Sequence, residues 1–431
     1  MNSLILQKEE EEDIKEEIII IVDEYLETNI RKYSSPEFYD KMGEEIIDYI
    51  KKTYFFEEKE EEDDDILDEY LNDFILNTID DLLSFYHIPK RQLFIAENIH
   101  RNIDEITDNV RELEIINQSQ PKQRTSEWYQ YRYNRFSASS IWKLLSTPSQ
   151  YNSLILEKCK KPAENLEYPT TNYNNPRNWG IKYEPLSIMI YEDKYPNTIV
   201  KTDYGCIPHP IYSFIAASPD GINISPNCIE KYGRMVEVKN IYNRDITGIP
   251  LEEYWIQMQI QMETCGLDVC DFLETRFKEY SGEEAFYSDI SPEYKGVILF
   301  LLGKDSGLGG YTDHRFEYMP LYVNLEKKHV DKWIQEIREK VSDTHLVYEI
   351  IYWYLDEYSC VVVERNRPWF ETVLPIFEEA WNIVLSERKH GYKHRAPISR
   401  VKNSSFGNSG TTTTTIRKSV DTFCLVVKKL E

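Results

Sequence analysis

The sequence predicts an α/β fold, a mixed central β-sheet flanked by helices, preceded by an all-α N-terminal domain. Three observations carry this. Apolar residues recur three and four apart through Ile14, Ile18, Ile21, Tyr25 and Leu26, and again through Tyr39, Met42, Ile46, Ile47 and Ile50, which is helical spacing. Beyond Gln118-Ser119-Gln120-Pro121 the pattern changes to short apolar strands alternating with helices. The chain has 431 residues, 13% of them aromatic, with 32 Tyr and 17 Phe, so it can bury a sizeable core.

The elements follow in order. Residues 1–118 read as an acidic helical domain, with Glu57 to Asp65 as an acidic linker between helices. Residues 119–392 form the second domain. Helices are predicted from near Ser139 through Leu145, over Asn178 to Tyr195 and over Leu251 to Cys265. Strands are predicted at Ile199–Cys206, Ser213–Ala217, Met235–Ile241, Val269–Phe277, Val297–Leu302 and Phe316–Val323. A long helical run is predicted from Leu325 to Tyr358, interrupted near Asp343. A strand at Cys360–Glu364 and a helix after Pro368 complete the domain. Residues 393–431 are basic and rich in Ser, Thr, Gly and Asn, the composition of a largely disordered tail.

Composition excludes several classes. No stretch approaches the roughly 20 apolar residues that a membrane span needs. The acidic N-terminus is neither a secretory signal nor a mitochondrial presequence. Seven Cys without a CxxC pair read as reduced thiols of an intracellular protein, with no zinc-site spacing. The scattered His residues, His209 and His314 among them, read as structural or surface groups. The net charge of −25 argues at first sight against a polyanionic partner, but residues 1–120 carry 34 acids and 12 bases. The remaining 41 acids and 38 bases nearly cancel, and local field decides binding to a polyanion.

The chemistry centres on Ser218-Pro219-Asp220-Gly221, a turn, followed by Arg234-Met235-Val236-Glu237-Val238-Lys239. Residues two apart on a strand share a face. Glu237 and Lys239 are therefore expected to project together, with Val236 and Val238 buried behind them. Asp220 is expected to meet them from a neighbouring strand end. Two carboxylates suit Mg²⁺, a hard ion that takes oxygen ligands and keeps several waters. A lysine beside them orients or deprotonates a water, or neutralises charge developing on a phosphate. Taken singly, Glu-x-Lys on a strand is common and Ser-Pro-Asp-Gly is an ordinary turn.

Four further features surround this core. Arg132 precedes Arg135-Phe136-Ser137-Ala138-Ser139, where Ser137 or Ser139 is expected to cap the next helix; with Arg132 close by, that helix start suits a terminal phosphate or is simply an N-cap with surface arginines. Trp179-Gly180-Ile181-Lys182-Tyr183-Glu184 opens a helix, and Glu184 offers a third carboxylate or simply a solvated face. Tyr254-Trp255-Ile256-Gln257-Met258-Gln259-Ile260-Gln261 places Gln257 and Gln261 four apart on one helical face, toward a cleft or toward solvent. Gly205-Cys206-Ile207 before Ala216 to Gly221 reads as a hairpin that delivers Asp220.

Together these motifs resemble the lambda-type exonuclease family, the YqaJ-like viral recombinases of the PD-(D/E)xK nuclease superfamily. The resemblance spans roughly Ser126 to Leu273 in motifs. Trp128, Arg132 and Ser139 match the family's Trp-x3-Arg-x6-Ser phosphate-binding pattern. Trp179 to Glu184 matches its Trp-Gly-x-x-Tyr-Glu helix, and the Ser-Pro-Asp-Gly, Glu-x-Lys and Tyr-x-x-Gln-x-Gln elements follow in order.

The resemblance implies Mg²⁺-dependent 5′→3′ exonuclease digestion of double-stranded DNA from its ends, with Mn²⁺ as a substitute ion, in recombination, repair or genome processing. By the same carry-over Asp220, Glu237, the Val238 carbonyl and Glu184 hold the metal. Lys239 activates the water, Gln257 supports it, and Arg132 and Ser139, with Ser137 and Arg135 beside them, grip the 5′ phosphate. A single-strand annealing protein and a homo-oligomer are the partners to consider beside DNA. Richness in Ile, Lys, Asn and Tyr fits an AT-rich genome such as a large DNA virus, which would place the protein in the cytoplasm or nucleus of a host cell. The alternatives are an endonuclease or RNA-degrading enzyme of the same fold, or an inactive DNA-binding scaffold, against which intact Asp220, Glu237 and Lys239 weigh. No catalytic motif lies before residue 118, so a chain starting near Gln118 is expected to keep the chemistry.

Overall fold

The computed structural model describes residues 8–54, 64–91, 93, 101–121, 125–161, 176–304 and 314–396. Met1–Tyr392 is one compact unit and Lys393–Glu431 a second, in which Lys393–Arg395 makes a 3-10 turn. The tail expected to be disordered lies, beyond residue 396, outside the described residues, as does most of the acidic linker.

The N-terminal region is helical as predicted. It comprises α1 (Lys8–Asn29), α2 (Phe38–Tyr54), α3 (Asp64–Phe85) and α4 (Ile103–Gln118). The three-and-four spacing buries Ile14, Ile18, Val22 and Leu26 against Met42, Ile46 and Ile50 and against Leu71, Ile75, Ile79 and Leu83. Asn102 caps α4 by accepting from the Glu105 amide.

This core does not stop at residue 118. Tyr33, between α1 and α2, packs on Trp255 with ring centroids 5.7 Å apart. Arg91 is buried, donates to the carbonyls of Ser34 and Pro250, and lies over the Trp255 ring. Ser34 donates to Glu252 at 2.7 Å. Leu93 pairs with Val362, Arg101 donates to the carbonyls of Ile229, Glu230 and Tyr232, and Asn109 donates to the Gly266 carbonyl.

After α4 come α5 (Ser126–Tyr133), β1 (Phe136–Ser137), α6 (Ala138–Ile141), α7 (Pro148–Cys159) and α8 (Pro176–Lys194). Strands β2 (Val200–Lys201), β3 (Ile207–Pro208), β4 (Ile215–Ala217), β5 (Gly221–Asn223) and β6 (Met235–Asn240) follow, then α9 (Glu252–Cys265). The rest is β7 (Val269–Glu279), α10 (Glu283–Ser288), β8 (Lys295–Gly303), β9 (His314–Tyr318), α11 (Lys327–Val341), β10 (His345–Glu364) and α12 (Arg367–His390). Among the described residues the main sheet has seven strands in the order β2-β5-β6-β7-β10-β8-β9, of which only β6 and β7 run parallel. A smaller sheet has the order β1-β4-β3. The predicted mixed sheet between helices is therefore present.

The predicted helix over Leu325–Tyr358 is half wrong. It ends at Val341, and from His345 the chain is the 20-residue strand β10, paired on both sides. The run Val347-Tyr348-Glu349-Ile350-Ile351-Tyr352-Trp353-Tyr354 is β-branched and aromatic, which favours a pleated surface over a helix. The predicted strand at Ile199–Cys206 is shorter than expected, since only Val200–Lys201 pairs. The helix predicted over Ser139–Leu145 is the four-residue α6 followed by a 3-10 turn at Trp142–Leu144.

One face of β6 and β7 is held by a buried ion network. Asp271 is fully buried and accepts from Tyr191 at 2.5 Å, Lys231 at 2.6 Å and Arg234 at 3.1 Å. Burial alone would raise its pKa, but Lys231 and Arg234 outweigh it and hold the carboxyl below the usual range. Asp271→Asn strands two cations and is expected to cost about 3–5 kcal/mol, read as a lower urea midpoint. Because the folded pKa is depressed, this contribution is full above the unfolded aspartate value of about 3.9 and fades as pH falls through the folded one. The loss in the variant should therefore shrink in acid.

Among the described residues no helix is long and apolar enough to cross a membrane, and six cysteines are free. His209 is structural: its Nδ1 accepts from the amides of Ile211 and Tyr212, and burial pushes its pKa down to about 4. The side chain of His314 lies outside the described residues.

Candidate active site

The period-two expectation for β6 holds. Val236 and Val238 pack with Ile188 and Tyr191 of α8, with Val200 and with Leu273. Glu237 and Lys239 lie on the opposite face, toward α9. Strand β5 pairs with β6 only as far as Gly221 opposite Val236. Asp220 precedes that pair, and its Oδ2 accepts from the Val238 amide at 2.9 Å in place of a ladder bond. The N–H and C=O of one strand residue point to the same edge, so the Val238 carbonyl lies on the side of Asp220. Gly221 is required at this crossing, because a Cβ there would collide with Val200.

Helix α9 holds Glu237 from above. Gln257 Nε2 donates to Oε1 at 2.7 Å and Gln261 Nε2 to Oε2 at 2.8 Å. Lys239 pairs with Oε1 of the same carboxylate, stands 3.5 Å from Gln257 Oε1, and lies over the Tyr254 ring. The two glutamines four apart face the cleft, not solvent. Glu237 is 1% exposed, and a carboxylate has about four acceptor positions, so three donors leave it capacity for one further partner.

The charges at this site are crowded. Burial pushes the Asp220 pKa well above the usual range, and the Glu237 and Glu184 carboxylates push it further, against Lys239 and the Val238 amide. Burial pulls the Lys239 pKa down, but Glu237 and Asp220 outweigh it, and the net shift is upward. Lys239 is a cation at neutral pH.

The oxygen donors at hand are Asp220, Glu237 and the Val238 carbonyl, with Glu184 on the same cleft wall. Among the described residues no group of three or more His, Cys, Asp or Glu side chains is arranged to hold a metal. A divalent ion here would rest on two carboxylates, a carbonyl and water, which is the habit of Mg²⁺ rather than of a full protein cage. The mutual repulsion of the carboxylates is what such an ion relieves.

The site opens into a cleft of about 590 Å³, whose wall includes Asp220, Glu184, Gln257 and Gln261 and also Arg132, Ser137, Ser139 and Lys158. Arg132 of α5 lies 4.4 Å over Trp128 and donates to Ser137 Oγ at 2.9 Å. Ser137 in turn is 2.9 Å from Ser140 Oγ and 3.4 Å from Ser139 Oγ. Two expectations change here. Ser137 stands at the start of α6 but its hydroxyl makes no capping bond, because it is turned to Arg132 and Ser140; Ser139 lies inside the helix. Arg135 does not line the cleft: it donates to the Tyr131 carbonyl at 3.1 Å and stacks on the Tyr131 ring. Gln261 and Lys158 join the site beside the residues that the motifs assign. The four-residue spacing pointed to Gln261; Lys158 carries no such signal, being one of several lysines near the end of α7.

Every residue of this site falls within one matched segment. Residues 127–268 match the YqaJ-like viral recombinase domain. Outside this YqaJ-like segment lie the N-terminal helices and everything after α9. The "Uncharacterized protein R354" of Acanthamoeba polyphaga mimivirus is 27% identical over 349 residues, 73% of this chain and 61% of that protein. The chain thus spans less than two thirds of that relative's length. Two crystal structures are similar to the chain at 17% identity and a TM-score of 0.33, covering 63% of this chain and 95% of theirs. They are LHK-Exo in complex with dAMP and the alkaline exonuclease LHK-Exo from Laribacter hongkongensis.

Proposed function

We propose that this chain is a Mg²⁺-dependent deoxyribonuclease that digests double-stranded DNA from its ends in the 5′→3′ direction, in recombination, repair or genome processing. The carrying observation is that Asp220, together with Gln257 and Gln261, which hold Glu237 beside Lys239, lines the same cleft as Arg132, Ser137 and Ser139. The YqaJ-like viral recombinase match over 127–268 supports a nuclease or recombination role.

In this reading Asp220, Glu237 and the Val238 carbonyl hold the ion, with Glu184 beside them. A bound Mg²⁺ would stabilise charge on the scissile phosphate and lower the pKa of a bound water. Lys239, held as a cation, donates to the attacking water or to a phosphate oxygen and neutralises developing charge. Gln257 and Gln261 fix the Glu237 carboxylate, so that the reacting groups need no rearrangement. Arg132, Ser137 and Ser139 hold the terminal phosphate at the far side of the cleft.

The test is digestion of end-labelled duplexes in Mg²⁺ or Ca²⁺. Release of 5′-labelled mononucleotide in Mg²⁺ alone is the expected result. Cuts in circular DNA would make the chain an endonuclease, and binding without cleavage would make it a scaffold.

Arg132→Ala is expected to slow digestion of 5′-phosphorylated ends by roughly ten- to a hundredfold, the worth of about 1.5–3 kcal/mol for a charged hydrogen bond. Digestion of 5′-hydroxyl ends should change far less. Arg135→Ala should leave the phosphate-to-hydroxyl rate ratio unchanged, since Arg135 is turned away from the cleft. An unchanged ratio in the Arg132 variant would remove this pocket as the reader of the 5′ end.

A further inference from the structure

The phosphate side of the cleft holds a second cation that no motif assigns. Lys158, near the end of α7, is only 5% exposed, yet it lines the cleft with Arg132 and the serines. Its Nζ donates to the Arg132 carbonyl at 3.2 Å, which ties α7 to the end of α5. The carboxylate beside it, Glu157, is 3.7 Å away and more than half exposed at the cleft rim. Among the described residues no carboxylate pairs with Arg132 at all. Burial, with Arg132 adding to it against Glu157, brings the Lys158 pKa down to about 8, so it remains mostly charged at neutral pH. The buried Lys158 and the half-buried Arg132 are thus held together with one rim carboxylate beside the lysine, an arrangement that costs desolvation unless an anion completes it.

We propose that Lys158 is a specificity residue, the second positive charge that makes this pocket select a terminal phosphate monoester over an internal diester. The inference rests on the reading of this cleft as the phosphate side of a nuclease site. A terminal phosphate carries about −1.5 to −2 charges at pH 7, whereas a phosphodiester within the chain carries one. Arg132 alone would match a diester as well as a monoester. Arg132 with Lys158 matches the dianion, and the Ser137 and Ser139 hydroxyls supply donors to its third oxygen. Lys160, also on the cleft wall but exposed, contributes general attraction to DNA without this selectivity.

The test compares 5′-phosphorylated with 5′-hydroxyl duplexes, by digestion rate and by fluorescence anisotropy of binding without divalent ions, using the full chain. Lys158→Met keeps the apolar stem and removes the charge. It should lower the phosphate-to-hydroxyl ratio about tenfold in both measurements, leave hydroxyl ends almost unaffected, and be rescued by Lys158→Arg. Glu157→Gln, at an exposed position that folding tolerates, should raise the ratio by freeing Lys158 of its competing carboxylate. The inference is overturned by an equal loss on both kinds of end, by a ratio unchanged in both Lys158→Met and Glu157→Gln, or by a wild-type chain that does not prefer the phosphate. If the wild type cuts neither end, the nuclease reading fails, and the binding ratios still decide the role of Lys158.

Discussion

Asp220→Asn is expected to lower cleavage by on the order of 10²–10³-fold while raising the melting temperature in EDTA. The first effect follows from removing a charge that stabilises the transition state through the bound ion. The second follows from the crowding around the side chain. An acid whose folded pKa is raised destabilises the folded chain wherever it is ionised, and burial with Glu237 and Glu184 places Asp220 in that class. An asparagine keeps an oxygen for the Val238 amide and carries no charge. Lys239→Met should lose activity on a similar scale, but it leaves Glu237 without its cation and should melt lower. A pair of variants that are both inactive yet shift in opposite directions would separate a charge-crowded site from an ordinary ion pair. Near-wild-type turnover in either one would remove the assignment of the active site.

Removal of residues 1–118 is expected to abolish folding rather than to yield a lean nuclease. The absence of catalytic motifs before residue 118 suggests a domain dispensable for the chemistry. The packing reverses this. Truncation would uncover Trp255, which is 1% exposed, and would delete Tyr33, Arg91 and Ser34, which hold the start of α9. It would also delete Ile106, which packs on Gly233 at the entry to β6. Loss of one large buried side chain costs about 3–5 kcal/mol, and several are lost at once from a total stability on the order of 5–15 kcal/mol. Helix α9 carries Gln257 and Gln261, so its displacement would also release Glu237. A chain starting at Ser119 should lack a cooperative melting transition and should not cut DNA. A well-folded, active truncate would show that α9 is positioned without the N-terminal helices.

Much of this site was legible because its geometry is local. Glu237 and Lys239 share a face because a strand has period two, and Gln257 and Gln261 share one because a helix turns in about four residues. The order of the motifs carried the rest. What escaped the sequence is contact between distant segments. Arg91 reads as a surface arginine until Ser34 and Pro250 close around it. Lys158 is one lysine among several until α7 folds back beside Arg132. The region after Asp343 escaped for another reason: its Glu349, Asp356 and Glu357 sit among aromatics at intervals that mimic a helix, and pairing on both edges settled it as strand.

That strand has a consequence for how the molecule tolerates change in length. Strand β10 pairs with β8 from His345 to Tyr354 and with β7 from Trp353 to Glu364, so the two ladders overlap only at Trp353 and Tyr354. A bulge interrupts the outer ladder between Val347 and Glu349, and another interrupts the inner one between Leu355 and Glu357. A one-residue slip in an unbroken strand would turn every later side chain to the wrong face, and β7 passes its register directly to β6, where Glu237 and Lys239 stand. A bulge absorbs a single residue. The two bulges flank the overlap like firebreaks, so that a residue gained or lost in the outer strands during evolution ends its effect before it reaches the catalytic register.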